Sequence, residues 1–197
     1  MRSLIVGEPF EFADPAEIHI SQVGDEVYNS YAPGATANCG PAVLVMAIRL
    51  LRLDVPGSDR FRGEALIEHV RYLATGNTDR LEGTHNLHLQ RVLKMAGAES
   101  RALTHPKDIL NAVVRGEPVI MAGNPTVRGG YCDRYEYIDI RRWDSGHWIL
   151  VSRYNPETKT FTVNDPQSTI GPIEATVQEL HAFNSRDGNF AIAMRRA

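Results

Sequence analysis

Two cysteines stand among 197 residues, and Cys39 occupies a position where sulfur chemistry is favoured. It lies in Asn38-Cys39-Gly40-Pro41-Ala42, ahead of a stretch from Val43 to Leu53 whose only charges are Arg49 and Arg52. Asn38 suits a helix N-cap and Pro41 a first turn, so a helix is expected to start at the cysteine. Unsatisfied amide N–H groups and the positive end of the helix dipole favour an anion there. Thiolate formation is thereby helped, and the thiolate is the nucleophile. Gly40 leaves room for close approach of a substrate or another backbone. A cysteine without such surroundings is more often a small buried hydrophobe.

A nucleophilic cysteine needs a base from elsewhere in the fold, and seven histidines compete for the role. His69 and His88 fall within helical patterns, while His19, His105 and His181 sit in polar surroundings. His85 and His88 are spaced as a metal pair, but no third ligand follows at suitable spacing, so no metal is expected. His147 differs. Ser145-Gly146-His147-Trp148-Ile149-Leu150-Val151 puts it at the opening of an apolar strand, where a rigid scaffold presents a side chain well. A second strand, Phe161-Thr162-Val163-Asn164, runs into Asp165-Pro166, with turn residues Asn155 to Lys159 between the two. In such a hairpin the start of one strand lies beside the end of the other. His147 then neighbours Asn164 or Asp165, and an acid beside an imidazole fixes its tautomer and orientation. Asp165 before a proline is also an ordinary turn residue. Cys132, in the loop from Arg128 to Tyr135, reads as a free thiol, with a place lining the cleft as the alternative. The basic residues Arg128, Arg134, Arg141 and Arg142 read as a solvated stretch, with an acidic substrate as the alternative.

The elements that must position these residues form an α+β pattern. The chain to about Gly34 reads as irregular, with a short strand at Glu17 to Gln22. Helices are expected from the cysteine onward and over Gly63–Ala74, His85–Ala96, Pro106–Arg115 and Val177–Phe183. Strands are expected at Pro118–Ala122, Tyr135–Ile140, His147–Arg153, Thr160–Asn164 and Asn189–Met194. The layout is a helical N-terminal half, whose buried central helix carries the cysteine, and an antiparallel C-terminal half carrying His147 and Asp165. One domain over residues 1–197 is expected, since no repeat or low-complexity linker divides the chain.

Composition narrows the function classes. Twenty-one Lys and Arg against 24 Asp and Glu give a net charge of −3, without the basic excess of a nucleic-acid binder. The longest apolar run, Pro41 to Ile48, is far short of the roughly 20 residues of a membrane span. Met1 to Phe10 lacks the apolar core of a signal peptide. A soluble protein is expected, cytoplasmic or exported by a route independent of a signal peptide.

The stretches around Cys39, Gly146-His147-Trp148-Ile149-Leu150-Val151 and Val163-Asn164-Asp165-Pro166 resemble the three signature segments of papain-like cysteine peptidases. The nearest branch is the bacterial one that includes the double-glycine leader peptidases of bacteriocin exporters. Gly116 to Ile120 resembles that branch's strand before the histidine, and Thr176 to Phe183 its closing helix. The resemblance implies Cys39 as nucleophile, His147 as general base and Asp165 as the orienting residue, with neither metal nor organic cofactor. It also implies an oxyanion glutamine a few residues before the cysteine, where this chain has Pro33 and Gly34. Gln22 fills that role if Val23 to Ala37 holds an insertion; Asn29 and Asn38 are the alternatives. The implied activity is hydrolysis of an amide in a peptide, protein or peptidoglycan stem peptide, with a secreted bacterial effector or toxin among the roles. Acyl transfer (as in a transglutaminase) and glutamine deamidation use the same triad. A catalytically dead binding module is the reading from another class, but such relatives lose the cysteine or the histidine, and both are present. The chain shows no membrane or ATPase segments of an exporter, which argues against leader processing as part of a transporter.

Cys39 is therefore expected to react with an electrophilic thiol probe at neutral pH far faster than Cys132. Site mapping after brief labelling checks this, and equal modification of both cysteines in the folded protein would count against an enzyme.

Overall fold

The computed structural model describes residues 11–22, 37–135, 146–185 and 188–197. The apolar stretch after the cysteine forms α2, Cys39–Leu50, in which every residue but Arg49 is buried. A helix apolar on all sides needs cover on all sides. Two amphipathic helices supply part of it, α3 (Gly63–Thr75) and α4 (Asn86–Met95), through Leu66, Ile67, Val70, Leu89, Val92 and Leu93. α3 ends at Gly76, whose φ of 85° is the left-handed cap that glycine takes without strain.

The strand expected at Glu17 to Gln22 is instead a short helix, α1 (Pro15–Ile18), followed by extended chain. Helix-start chemistry outweighs the brief alternation of Ile18 and Ile20. The Asp14 carboxylate accepts the Ala16 N–H at 2.8 Å, and Pro15 sits in the first helical turn.

Six strands among the described residues make one sheet: β1 (Ala98–Leu103), β2 (Val119–Gly123), β3 (His147–Asn155), β4 (Thr160–Asn164), β5 (Ile173–Ala175) and β6 (Ala191–Arg196). Their order is β1-β6-β2-β3-β4-β5, and every pairing is antiparallel. β1 and β5 are absent from the sequence expectations because their patterns are weak. Only Ala98 of β1 is buried, and β5 has three residues. The strand expected at Tyr135–Ile140 falls, beyond Tyr135, outside the described residues.

Side chains alternate across the sheet. Ile120, Leu150, Ile192 and Met194 pack with α2, α3 and α4. Val119, Met121, Ile149, Val151, Ala191 and Ala193 face α5 (Pro106–Val114) and α6 (Val177–Ser185). Helices thus cover both faces of the sheet, and the start of α2 reaches the sheet end where β3 begins and β4 finishes.

The β3–β4 hairpin carries the expected proximity, with a detail that periodicity does not show. Leu150 pairs with Asn164, and the register shifts between Val151 and Arg153. Such a bulge leaves a residue without ladder partners. Ser152 hydrogen-bonds from this irregular stretch to the Asn164 Oδ1 at 3.0 Å. Asn164 Nδ2 donates to the Pro15 carbonyl at 2.7 Å, tying α1 to the end of β4.

Gly123 closes β2 against α6. A Cβ there would lie 2.2 Å from two ring carbons of Phe183 and 2.6 Å from its carbonyl oxygen. Because backbone as well as side chain must move, Gly123→Ala is expected to destabilise the fold by at least about 1–3 kcal/mol. A melting temperature equal to that of the parent would show that α6 does not pack this closely.

Candidate active site

The site begins where α2 begins. Asn38 stands at the N-cap with φ −87° and ψ 0°, but its side chain does not cap the helix. Its Oδ1 instead accepts from the buried guanidinium of Arg71 on α3. Arg71 also donates to the carbonyls of Ala37 at 2.8 Å and Glu82 at 2.6 Å. One cation thus fixes the two residues before Cys39 and the loop between α3 and α4. That loop returns over α2 at Thr84, whose carbonyl accepts the Trp148 Nε1–H at 3.0 Å. A Cβ on Gly40 would lie 1.7 Å from the Thr84 hydroxyl oxygen, so glycine at this position is a packing requirement.

His147 and Asp165 meet at the sheet end. Nε2 of His147 lies 2.7 Å from Oδ1 of Asp165, with neither side chain exposed to solvent. The same Oδ1 accepts the Gln167 backbone N–H at 2.8 Å, and Oδ2 accepts the Tyr131 phenol at 2.7 Å. Cys39, 6% exposed, interacts with the same imidazole. Since Nε2 is committed to Asp165, Nδ1 is the nitrogen available to the sulfur.

Burial disfavours the charged form of each member, and the neighbours reverse that effect. Burial alone would lower the His147 pKa, but the charge and hydrogen bond of Asp165, with a smaller contribution from Cys39, carry it up to about 10. Burial would raise that of Cys39, but His147 and the backbone N–H groups of Trp148 and Gly40 bring it below the usual thiol value. Asp165 is likewise held below the usual carboxylate range, because His147, Tyr131 and the Gln167 amide outweigh its burial. The arrangement favours a thiolate–imidazolium pair beside a carboxylate, which is a set for nucleophilic attack and proton return.

Of the other residues singled out from sequence, Gln22 is brought nearby. It is 2% exposed, its backbone N–H donates to the Pro166 carbonyl at 2.7 Å, and its buried Oε1 has no hydrogen-bond partner among the described residues. It follows α1 in extended chain and does not end a strand. Asn38 adjoins Cys39 but is engaged by Arg71; Asn29, Arg141 and Arg142 lie outside the described residues. Cys132 is buried in a 3-10 turn, Tyr131–Arg134, where burial and the Asp165 charge push its thiol pKa far up. Arg128 is exposed and Arg134 pairs with Glu179 of α6. His88 Nδ1 accepts the His85 N–H at 3.3 Å, a local helix-start contact. Among the described residues, no three His, Cys, Asp or Glu side chains form a metal-sized group.

Sequence reasoning missed Tyr131, Arg71 and Thr84. The only signal for Arg71 is a charge within the apolar stripe of α3, and Tyr131 was obscured by its basic neighbours. A cavity of about 480 Å³, lined in part by Arg49, Leu53, Val55 and Arg62, opens at the far end of α2 and includes none of the site residues.

Comparison with known proteins adds two findings. A family model described as the Peptidase_C39-like family matches residues 19–186. Among solved structures, a Bacillus anthracis protein described as C39-like superposes with a TM-score of 0.56 at 13% identity, over 91% of this chain and 94% of that one. A double-glycine-motif protease from an AMS/PCAT transporter, solved with the leader peptide, gives 0.51 at 17% identity, over 82% and 86%. At these identities the likeness establishes a shared fold. No curated protein matches the sequence.

The pKa shifts set a pH window for stability. Asp165, lowered in the folded state, contributes above its ordinary value of 3.8, and that contribution is lost as pH falls through its folded pKa. His147 contributes fully below its ordinary 6.5 and ceases to do so as pH rises through about 10. Thermal melting across alkaline pH is expected to show this loss in the parent and a flatter profile in Asp165→Asn. Matching alkaline profiles would mean that the His147–Asp165 pair is not the group responsible.

Proposed function

Because the chain belongs to the Peptidase_C39-like family, we propose that it is a cysteine-dependent amide hydrolase in which Cys39, His147 and Asp165 act together on a peptide or peptide-like substrate. The observation that carries this reading is the burial of His147 between Asp165 and Cys39, with thiol and imidazole shifted in opposite directions. The thiolate of Cys39 attacks the substrate carbonyl, and negative charge develops on its oxygen. The Cys39 backbone N–H, at the first helical position, and the amide of Gln22 are the donors assigned to that charge. His147 protonates the leaving amine from Nδ1, which leaves a thioester on Cys39. Water then attacks as the same nitrogen takes its proton, releasing the acid and restoring the pair. Asp165 keeps Nε2 protonated throughout and so holds the tautomer that exposes Nδ1 to the reaction.

A peptide substrate is supported by the transporter protease of like fold, solved in complex with a leader peptide. No helix among the described residues is long and apolar enough to cross a membrane.

Kinetics on four variants, against a peptide library screened first with the parent, test the assignment. Cys39→Ala is expected to abolish turnover and His147→Ala to lower it roughly 10²–10⁴-fold. Asp165→Asn should cost less than His147→Ala, and Gln22→Ala about 10²-fold for one lost oxyanion donor. Full activity in folded His147→Ala would end this reading, whereas full activity in Gln22→Ala would remove only the oxyanion assignment.

A further inference from the structure

We propose that Tyr131 is a positioning residue of the active site, its phenol holding the second oxygen of Asp165 and so governing how firmly Asp165 holds His147. The inference rests on the hydrolase reading above and adds a fourth member to its proton-handling chain.

Three donors share the carboxylate. Oδ1 takes His147 Nε2 and the Gln167 N–H, and Oδ2 takes Tyr131 alone among the described residues. Asp165 has no exposure to solvent, so bulk water does not compete with the phenol for this oxygen. A buried carboxylate oxygen left without a donor raises the group's affinity for a proton. A protonated Asp165 no longer offers His147 a counter-charge, and the thiolate–imidazolium pair weakens with it.

The phenol is built into place. Its ring is fully buried and lies 5.5 Å, centroid to centroid, from that of Phe183. Phe183 also meets the His147 ring edge-on at 6.4 Å, so one aromatic side chain braces the two side-chain donors to Asp165. The turn bearing Tyr131 is pinned on its other side. Asp133 accepts the Gly129 N–H at 2.8 Å, and Arg134 donates to the Glu174 carbonyl at 2.7 Å and pairs with Glu179. Burial and the adjacent Asp165 charge hold the phenol pKa well above its usual value, so the hydroxyl remains a donor across the working range.

Tyr131→Phe removes the hydroxyl and keeps the ring. The readout is the rate of Cys39 alkylation by iodoacetamide as a function of pH, which needs no knowledge of the substrate. The parent is expected to react at a nearly pH-independent rate around neutrality, bounded by an acid limb where the ion pair is lost. In Tyr131→Phe that limb should move to higher pH by about half a unit or more, and peptide turnover should show a kcat about tenfold lower with KM within about twofold. A ring-fluorinated tyrosine at position 131, a stronger donor of nearly the same shape, should move the limb to lower pH. This variant decides the matter if Tyr131→Phe does not fold.

Unmoved acid limbs with unchanged kcat in the folded variants would overturn the proposal, even if the melting temperature fell, because a merely structural role moves stability alone. A parent protein whose Cys39 reacts like a free thiol, with no neutral plateau, would overturn the hydrolase reading itself.

Discussion

The dominant constraint in this structure is a carboxylate with no access to water. Taking Asp165 out of solvent is costly unless its charge is met by hydrogen bonds and a cation. The fold supplies a His147 side chain from the start of β3, an amide from the bend after β4 and a phenol from the turn before β3. These elements are held in mutual position by the rest of the molecule. The ladder between β3 and β4 sets the distance between histidine and acid, while α6, through Phe183, braces the histidine and the phenol. The same buried charge keeps His147 protonated, and His147 in turn lowers the thiol pKa of Cys39. Loss of the carboxylate would leave the other ionisations without support.

The position of Cys39 depends on a second buried charge. α2 threads the core with its first residues directed at the sheet end, but an apolar helix by itself fixes no rotation or axial register. Arg71 supplies both by binding Asn38, the Ala37 carbonyl and the loop at Glu82. Gly40, directly after Cys39, lets Thr84 pack against the helix, and Trp148 holds the Thr84 backbone from β3. Cation, glycine and tryptophan thus register helix, loop and strand against one another. This is preorganisation of the kind that the proposed role of Cys39 requires.

Similarity to C39-like peptidases accords with this architecture: a buried helix carrying a cysteine against an antiparallel sheet carrying a histidine and an acid. The polar groups that surround Cys39, His147 and Asp165 come from widely separated segments. His19 and Asn164 join α1 to the end of β4, and this contact brings Gln22 beside Pro166. A glutamine at that distance from the cysteine in sequence reaches the neighbourhood of the acid because α1 is anchored to β4.

Local physics made part of this legible in the chain alone. A buried helix after Cys39, an apolar strand after His147 and a turn at Asn155 to Lys159 follow from burial period and turn chemistry, and they place Cys39, His147 and Asp165 on definite elements. β1 and β5 were illegible because they are edge strands with few buried residues, stabilised by pairing with neighbours and not by their own pattern. Arg71, Tyr131 and the partners of Asn38 were illegible for a different reason. The contacts of Arg71 with Asn38 and Ala37 and of Tyr131 with Asp165 each span more than 30 residues, and a hydrogen bond between distant segments leaves no period in either of them. The sequence by itself determined which residue types stand at helix starts and strand ends. Only the tertiary structure decided which of them share a buried charge, because desolvation, which sets the protonation of the pair, exists only once the segments have closed over one another.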